Sequence, residues 1–118
     1  MKKAKQWIVD LPDCHPSLNV WTRMHFRVRN QLKKDWAEMV YYACLEAKLP
    51  KISEPVEVFI IYYHPRKTVD LDNYTPKFIM DPLKNFIVDD NIQWVKKLGW
   101  EFQRGAKRSR VFVKTIVD

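Results

Sequence analysis

The chain has 118 residues, 47% of them hydrophobic and 30% charged, which fits one globular domain and excludes a disordered or collagen-like protein. A formal net charge of +7 favours a polyanionic partner, nucleic acid ahead of a membrane surface, although solubility alone is a competing explanation. The two cysteines cannot form a disulfide framework, and no apolar run is long enough to span a membrane or form a leader core. We therefore expect a cytoplasmic protein without a membrane partner.

The hydrophobic pattern predicts a single compact α+β domain over residues 1–118, with a mixed sheet and two helices in the order β-α-β-α-β-β. In chain order, the predicted elements are a strand at 6–11, a helix at 28–49, a strand at 56–63, a helix at 74–85, and strands at 94–103 and 110–117.

Several details of these elements can also be predicted. The strand at 56–63 is β-branched and aromatic nearly throughout, which predicts a central position in the sheet. The last two strands are expected to form a hairpin around the turn at 104–107, and residues 13–20 are expected to be a loop. Pro82 should either kink the short helix or end it near Asp81.

Acidic residues are concentrated between Asp70 and Asp90. These 21 positions hold five of the 14 acidic residues and two lysines, so the segment carries −3 and the rest of the chain +10. Such a concentration of carboxylates is costly unless a cation neutralises it or some carboxylates are protonated.

The spacing of these carboxylates suits a hard cation. In extended backbone Asp70 and Asp72 point to the same side, and the short helix is long enough to return Asp89 and Asp90 toward them. Mg²⁺ prefers oxygen ligands and provides Lewis-acid assistance in phosphodiester hydrolysis. Lys77 would add a positive charge beside the phosphate. With only two glycines in the chain, no phosphate-cradling loop is present, so we expect no nucleotide cofactor.

Each of these residues also has a structural explanation. Asp72 or Asn73 can cap the second helix, Asp89 and Asp90 are common loop residues, and Lys77 can be a solvated lysine. The three histidines share no spacing typical of a zinc site, and Trp36 is expected in the core or at a dimer contact.

The acidic segment resembles a known family. Its signature residues, here Asp70-Leu71-Asp72-Asn73, Lys77, Asp81, Leu83 and Asp89-Asp90, are similar to those of RusA-type Holliday junction resolvases, small Mg²⁺-dependent endonucleases of bacteria and their prophages. Pro16-Ser17-Leu18-Asn19 is similar to the family's loop after the first strand. The interval from Asn73 to Lys77 is one residue longer than in the best-known members, and Pro82 replaces a small helix former.

The resemblance implies a homodimer that binds four-way DNA junctions and makes paired symmetric cuts, with Mg²⁺ as cofactor and Mn²⁺ as a substitute. Asp70, Asp72 and Asp90 would hold the metal, Lys77 would be the catalytic cation, and Asp81 and Asp89 would support them. A non-catalytic basic DNA-binding protein is the alternative from another class. A Mg²⁺ nuclease that prefers other branched DNA, such as flaps, is the nearer alternative.

Binding to a junction requires cations dispersed over a wide surface. The residues expected to contact DNA are basic and lie before the acidic segment or around the start of the first helix: Arg66, Lys67, Arg23, Arg27 and Lys33. A third basic run, from Lys96 to Arg110, is either a further DNA contact or a solvated face.

Overall fold

The computed structural model describes residues 3–66 and 74–116. It confirms an α+β domain with a mixed sheet, in the order β-α-α-β-α-β-β. The elements are β1 (Gln6–Leu11), α1 (Leu18–Arg23), α2 (Phe26–Glu46), β2 (Val56–His64), α3 (Lys77–Leu83), β3 (Val95–Arg104) and β4 (Arg108–Thr115).

The four strands lie in the order β1-β4-β2-β3, so β2 is an inner strand, as predicted. It pairs with β3 in parallel and with β4 antiparallel, and β1 pairs antiparallel with β4. The predicted hairpin of the last two strands is therefore wrong, because β3 and β4 flank β2. The turn between them crosses the end of β2, where the Gly105 N–H donates to the His64 carbonyl at 3.1 Å.

The loop predicted at 13–20 is partly wrong, because α1 begins at Leu18. Ser17 caps this helix, its hydroxyl accepting the Val20 N–H at 3.3 Å, a local signal that a short segment can hide. The long helix is confirmed with shifted ends, since α2 begins at Phe26 and ends at Glu46. The chain leaves the helical region at Lys48, whose φ is +58°.

Helix α3 is shorter than predicted. It begins after Pro76 and includes Pro82 in its last turn before ending at Leu83. A proline so near the end removes one helical hydrogen bond without dividing the helix. Both Pro82 and Leu83 are buried, so this turn is held by packing.

The core lies on one face of the sheet. Inward residues of the strands pack against α2 and α3, with Val58, Ile60, Val111 and Val113 at most 1% exposed. Cys44 of α2 is 1% exposed and belongs to the same core. The opposite face of the sheet is not covered by the described helices and presents Ile8 and Phe59, 45% and 40% exposed. No helix in the described ranges is long and apolar enough to cross a membrane.

Candidate functional site

One face of α3 carries the candidate cation. Lys77, Asp81 and Lys84 are spaced i, i+4 and i+7, which places them on the same side of a helix. They line a cavity of about 300 Å³ together with Asp90, which precedes β3. The structure therefore brings Lys77 and Asp90 to one cavity, although 13 positions separate them in the sequence.

The extra residue before Lys77 is accommodated in the turn that leads into α3. The Thr75 hydroxyl accepts the Lys77 N–H at 3.4 Å, and Pro76 occupies the position before the helix. Lys77 is the first residue of α3, and its side chain still reaches the cavity that Asp90 lines. Lys77 and Asp90 therefore face the same cavity in spite of the turn at Thr75 and Pro76.

Lys84 links the two carboxylates of this cavity. Its ammonium lies 3.5 Å from Oδ2 of Asp90 and 3.9 Å from Oδ1 of Asp81. All three side chains are partly exposed, between 30% and 44%, so each pair stabilises the fold by less than about 1 kcal/mol. Sequence reasoning did not single out Lys84; its i+7 spacing from Lys77 is the signal that could have identified it.

Asp89 has a local role in the turn before β3. Its Oδ1 accepts the Asp90 N–H at 2.8 Å, and its Oδ2 accepts the Asn91 amide at 3.2 Å. These bonds fix the backbone that presents Asp90. This arrangement agrees with the support expected of Asp89 and also with an ordinary loop residue.

Asp70, Asp72 and Lys67 lie outside the described residues. Among residues 3–66 and 74–116, no group of three or more His, Cys, Asp or Glu side chains is arranged to hold a metal ion. The predicted set of Asp70, Asp72 and Asp90 therefore stays a prediction.

The described residues on either side of segment 67–73 lie at one end of the sheet. Arg66 follows β2, is exposed, and donates its backbone N–H to Nδ1 of His64 at 3.1 Å. Tyr74 is buried, with its ring 5.6 Å from Tyr62 and 5.0 Å from Phe102. Arg66 and Tyr74 therefore both lie at the carboxyl ends of β2 and β3.

A second, aromatic cavity of about 480 Å³ adjoins the first. The two share three lining residues, Thr75, Lys77 and Asp81. Trp21 of α1 and Phe78 of α3 meet in its wall, with ring centroids 4.8 Å apart and planes at 80°. Lys33 of α2 also lines it, so the structure brings this predicted DNA contact beside Lys77.

The other basic residues differ in their surroundings. Arg23 and Arg27 are exposed, at the end of α1 and the start of α2. In the third basic run, cations pair within the domain: Lys107 lies 3.6 Å from Asp13 and Arg110 lies 2.7 Å from Asp10. The guanidinium of Arg108 lies 4.1 Å from the centre of the Tyr63 ring. These partners reduce the capacity of this run to bind phosphate.

His15 is a central residue that sequence reasoning missed. It is 1% exposed, and its Nδ1 lies 3.0 Å from the Pro16 carbonyl, so this nitrogen donates. Its Nε2 then accepts the Tyr62 hydroxyl at 2.7 Å. Burial lowers the pKa of His15 to about 4, which keeps the ring neutral at pH 7.

Aromatic rings surround His15. The ring of Phe78 stacks on it at 5.0 Å, and those of Trp36, Tyr62 and Tyr74 lie within 5.8 Å. The imidazole therefore packs against Phe78 and Trp36, two residues that line the aromatic cavity. A lone histidine in a short loop has no periodicity from which this role could be predicted.

Compared with protein-family models and with curated proteins, the chain matches none.

Proposed function

We propose that this protein is a Mg²⁺-dependent, structure-selective endodeoxyribonuclease that resolves four-way DNA junctions by paired symmetric cuts. The observation that carries the proposal is the cavity lined by Lys77, Asp81, Lys84 and Asp90. This cavity brings two lysines and two carboxylates together within the acidic segment Asp70–Asp90 of a chain whose net charge is +7. The resemblance of Asp70–Asp90 to the RusA-type signature gives these residues their roles. The proposed setting is the bacterial cytoplasm, for a host or prophage gene.

Mg²⁺ is the proposed cofactor, with Mn²⁺ as a substitute, held by Asp70, Asp72 and Asp90. The described part of this set fits a cation. The Asp90 carboxylate is 35% exposed, so a metal ion can reach its oxygens if it shares this carboxylate with the Lys84 ammonium 3.5 Å away or displaces it. Carboxylate oxygens are the ligands that Mg²⁺ prefers, and the ion supplies Lewis-acid assistance to phosphodiester hydrolysis.

Lys77 is the proposed catalytic cation. It lines both cavities, so a phosphate at their junction lies within reach of its ammonium group. A fixed positive charge there stabilises the negative charge that develops on the phosphoryl oxygens. Asp81, one turn further along α3, is the proposed supporting carboxylate, and Asp89 holds the turn that presents Asp90.

DNA binding is assigned to basic residues around this site. Lys33 lines the aromatic cavity beside Lys77. Arg23, Arg27 and Arg66 are exposed, and Lys67 follows Arg66 in the sequence. Dispersed contacts of this kind bind phosphates over a wide surface without reading base sequence.

A homodimer is part of the proposal, and the open face of the sheet supports it. One apolar row crosses all four strands on this face, in the paired order Ile8, Phe112, Phe59 and Gly99. Gly99 makes room for the neighbouring ring, since a Cβ there would lie 3.1 Å from Cδ1 of Phe59. An uncovered apolar sheet face is a typical site of association.

The charges beside this row favour a second copy of the chain over DNA. The two flanking rows carry three acidic and three basic residues, Asp10, Glu57, Glu101, Lys97, Arg110 and Lys114. Their charges cancel, unlike the +7 of the whole chain. A two-fold axis along the strands would bring Phe112 of one protomer opposite Phe59 of its partner and Lys114 opposite Glu57. Two sites related by this axis suit paired cuts in opposing strands.

The proposal is tested with a synthetic four-way junction. We expect cleavage in Mg²⁺ or Mn²⁺ and binding without cleavage in Ca²⁺. Asp70→Asn, Asp72→Asn and Asp90→Asn should each abolish cleavage and retain binding. Asp35→Asn, the same change on an exposed residue of α2, is the matched control and should cleave normally.

Three outcomes separate the alternatives. Binding without cleavage by the unaltered protein in any divalent metal would establish a non-catalytic DNA-binding protein. Faster cleavage of a flap than of the junction would establish a nuclease of different preference. Normal cleavage by Asp70→Asn would contradict the assigned metal site.

A further inference from the structure

We infer that the aromatic cavity beside Lys77 is a binding site for one unstacked nucleobase of the branched DNA. This inference rests on the proposed function, because it takes the DNA phosphate to lie at Lys77.

The two cavities are arranged like the two parts of a nucleotide. Thr75, Lys77 and Asp81 line both, so the cavities meet at these three residues. A nucleotide whose phosphate contacts Lys77 can therefore place its base in the aromatic cavity without leaving the site. At about 480 Å³ the cavity is in the range of small-molecule sites.

The walls of the cavity suit a planar ring. Trp21 and Phe78 present aromatic surfaces, and Trp36 of α2 forms a third side. The guanidinium of Arg29 lies 5.9 Å from the centre of the Trp21 ring, which adds a positive charge near this wall. Every base has a π-face, so stacking of this kind binds an extruded base of any sequence.

The polar groups of the cavity suit a base better than an apolar side chain. Lys33, Lys77 and Asp81 line it together with Asn85, whose side-chain amide is oriented by donating to the Pro82 carbonyl at 2.8 Å. An apolar occupant would remove water from these charged side chains without offering them a hydrogen bond. A nucleotide offers a phosphate to the lysines and ring donors and acceptors to the carboxylate and the amide.

Trp36 adds an independent observation. Its side chain is 7% exposed, and within the described part of the chain its indole N–H is buried without a hydrogen-bond partner. A buried donor of this kind is destabilising and rare in folded proteins. Base carbonyls and ring nitrogens are acceptors, which is the type of partner that the Trp36 indole N–H lacks.

The experiment is a double-mutant cycle between the protein and the DNA, measured as junction binding in Ca²⁺. On the DNA side, a series of junctions is made, each lacking one base at a different position near the branch. On the protein side, the change is Trp21→Ala, with Trp21→Leu as a second variant that retains apolar volume. Circular dichroism establishes that each variant is folded.

We expect one abasic position to weaken binding by about tenfold, and Trp21→Ala to weaken binding to the intact junction by a similar factor. When Trp21→Ala is combined with the abasic site, the loss of junction affinity should be no larger than with either change alone. Tyr42→Ala, which alters an aromatic residue of α2 that is 59% exposed and outside the cavity, is the control, and its effect should be independent of the abasic site.

Independent effects of Trp21→Ala and the abasic site, or no sensitive abasic position, would overturn the inference. Cleavage assays in Mg²⁺ keep this result separate from the proposed function. If the junction is cleaved but Trp21→Ala and the abasic site act independently, the base-binding inference alone is contradicted. If they are coupled but no cleavage occurs, the proposed nuclease activity is contradicted and the base-binding inference stands.

Discussion

The ammonium of Lys84 lies 3.5 Å from Oδ2 of Asp90 and joins helix α3 to the turn before β3. The same ammonium lies 3.9 Å from Asp81, so one lysine partly neutralises two carboxylates of the cavity. A divalent cation that binds Asp90 must share this carboxylate with Lys84 or displace the lysine. We therefore expect this pair to oppose the binding of a divalent cation at Asp90.

Lys84→Gln should strengthen metal binding. Removing the ammonium leaves Asp81 and Asp90 without this positive neighbour, so the proposed Mg²⁺ site becomes more negative. An exposed pair contributes less than about 1 kcal/mol, so we expect half-maximal cleavage at an Mg²⁺ concentration about threefold lower. A metal titration of junction cleavage measures this change, with the exposed Lys51→Gln as control. A higher Mg²⁺ requirement would show instead that Lys84 orients Asp90 for the metal.

Lys77→Met should impair chemistry more than binding. Its ammonium group is assigned to the phosphate as charge develops, so its loss should lower the single-turnover cleavage rate by about 100-fold or more. Junction affinity in Ca²⁺ should change by less than about threefold, because many other cations contact the DNA. Lys34→Met, on an exposed face of α2, should leave the rate unchanged. A parallel loss of affinity and rate would make Lys77 a binding residue only.

His15 should make the fold sensitive to acid. Burial lowers its pKa from 6.5 to about 4, so between these values the unfolded chain binds a proton that the folded chain does not. The stability contributed by the neutral ring is present above pH 6.5 and is lost as the pH falls toward 4. At about 1.4 kcal/mol per pKa unit, the free energy of unfolding should fall by an amount on the order of 3 kcal/mol.

Urea unfolding at a series of pH values tests this dependence. His15→Phe should give a flatter pH profile between 6.5 and 4, because the titrating group is gone. Tyr62→Phe is the control that removes the hydroxyl partner at 2.7 Å and retains the buried imidazole. It should lower the free energy of unfolding by about 1 kcal/mol at pH 7 with little change in slope. An unaltered slope in His15→Phe would assign the acid sensitivity to other groups.

Phe112→Glu should separate the proposed dimer into monomers. Phe112 pairs with both Ile8 and Phe59 in the apolar row, so a carboxylate there would be buried without a partner in a face-to-face dimer. The monomer should still fold, since this face does not contribute to the core. Sedimentation velocity measures the change, with Tyr42→Glu on α2 as control. A monomeric unaltered protein, or a dimeric Phe112→Glu, would exclude this face as the interface.

Much of the secondary structure follows from local pattern. The nearly continuous apolar run of β2 predicted its inner position, and the helical spacing of apolar residues over 28–49 predicted α2. Both signals are strong because they repeat over many residues. The six residues of α1 carry no such repetition, and their cap at Ser17 was overlooked.

The partners of β3 and β4 could not be predicted in the same way. A short turn between two strands usually makes a hairpin, and here β2 lies between them. Whether β3 pairs with β4 or with β2 depends on which edge of β2 is free when the chain returns from α3. That is a property of the whole sheet. No local pattern carries this information.

For the candidate site, the sequence by itself determined which residue types are present, their charge, and the spacing of Lys77, Asp81 and Lys84 along one helix face. Tertiary structure alone decided that Asp90 returns to the cavity of Lys77, that an aromatic cavity adjoins it, and that His15 packs behind Trp36 and Phe78 in that second cavity. The physical reason is that periodicity fixes which side of an element a residue occupies, whereas contacts between distant elements depend on how the complete core packs.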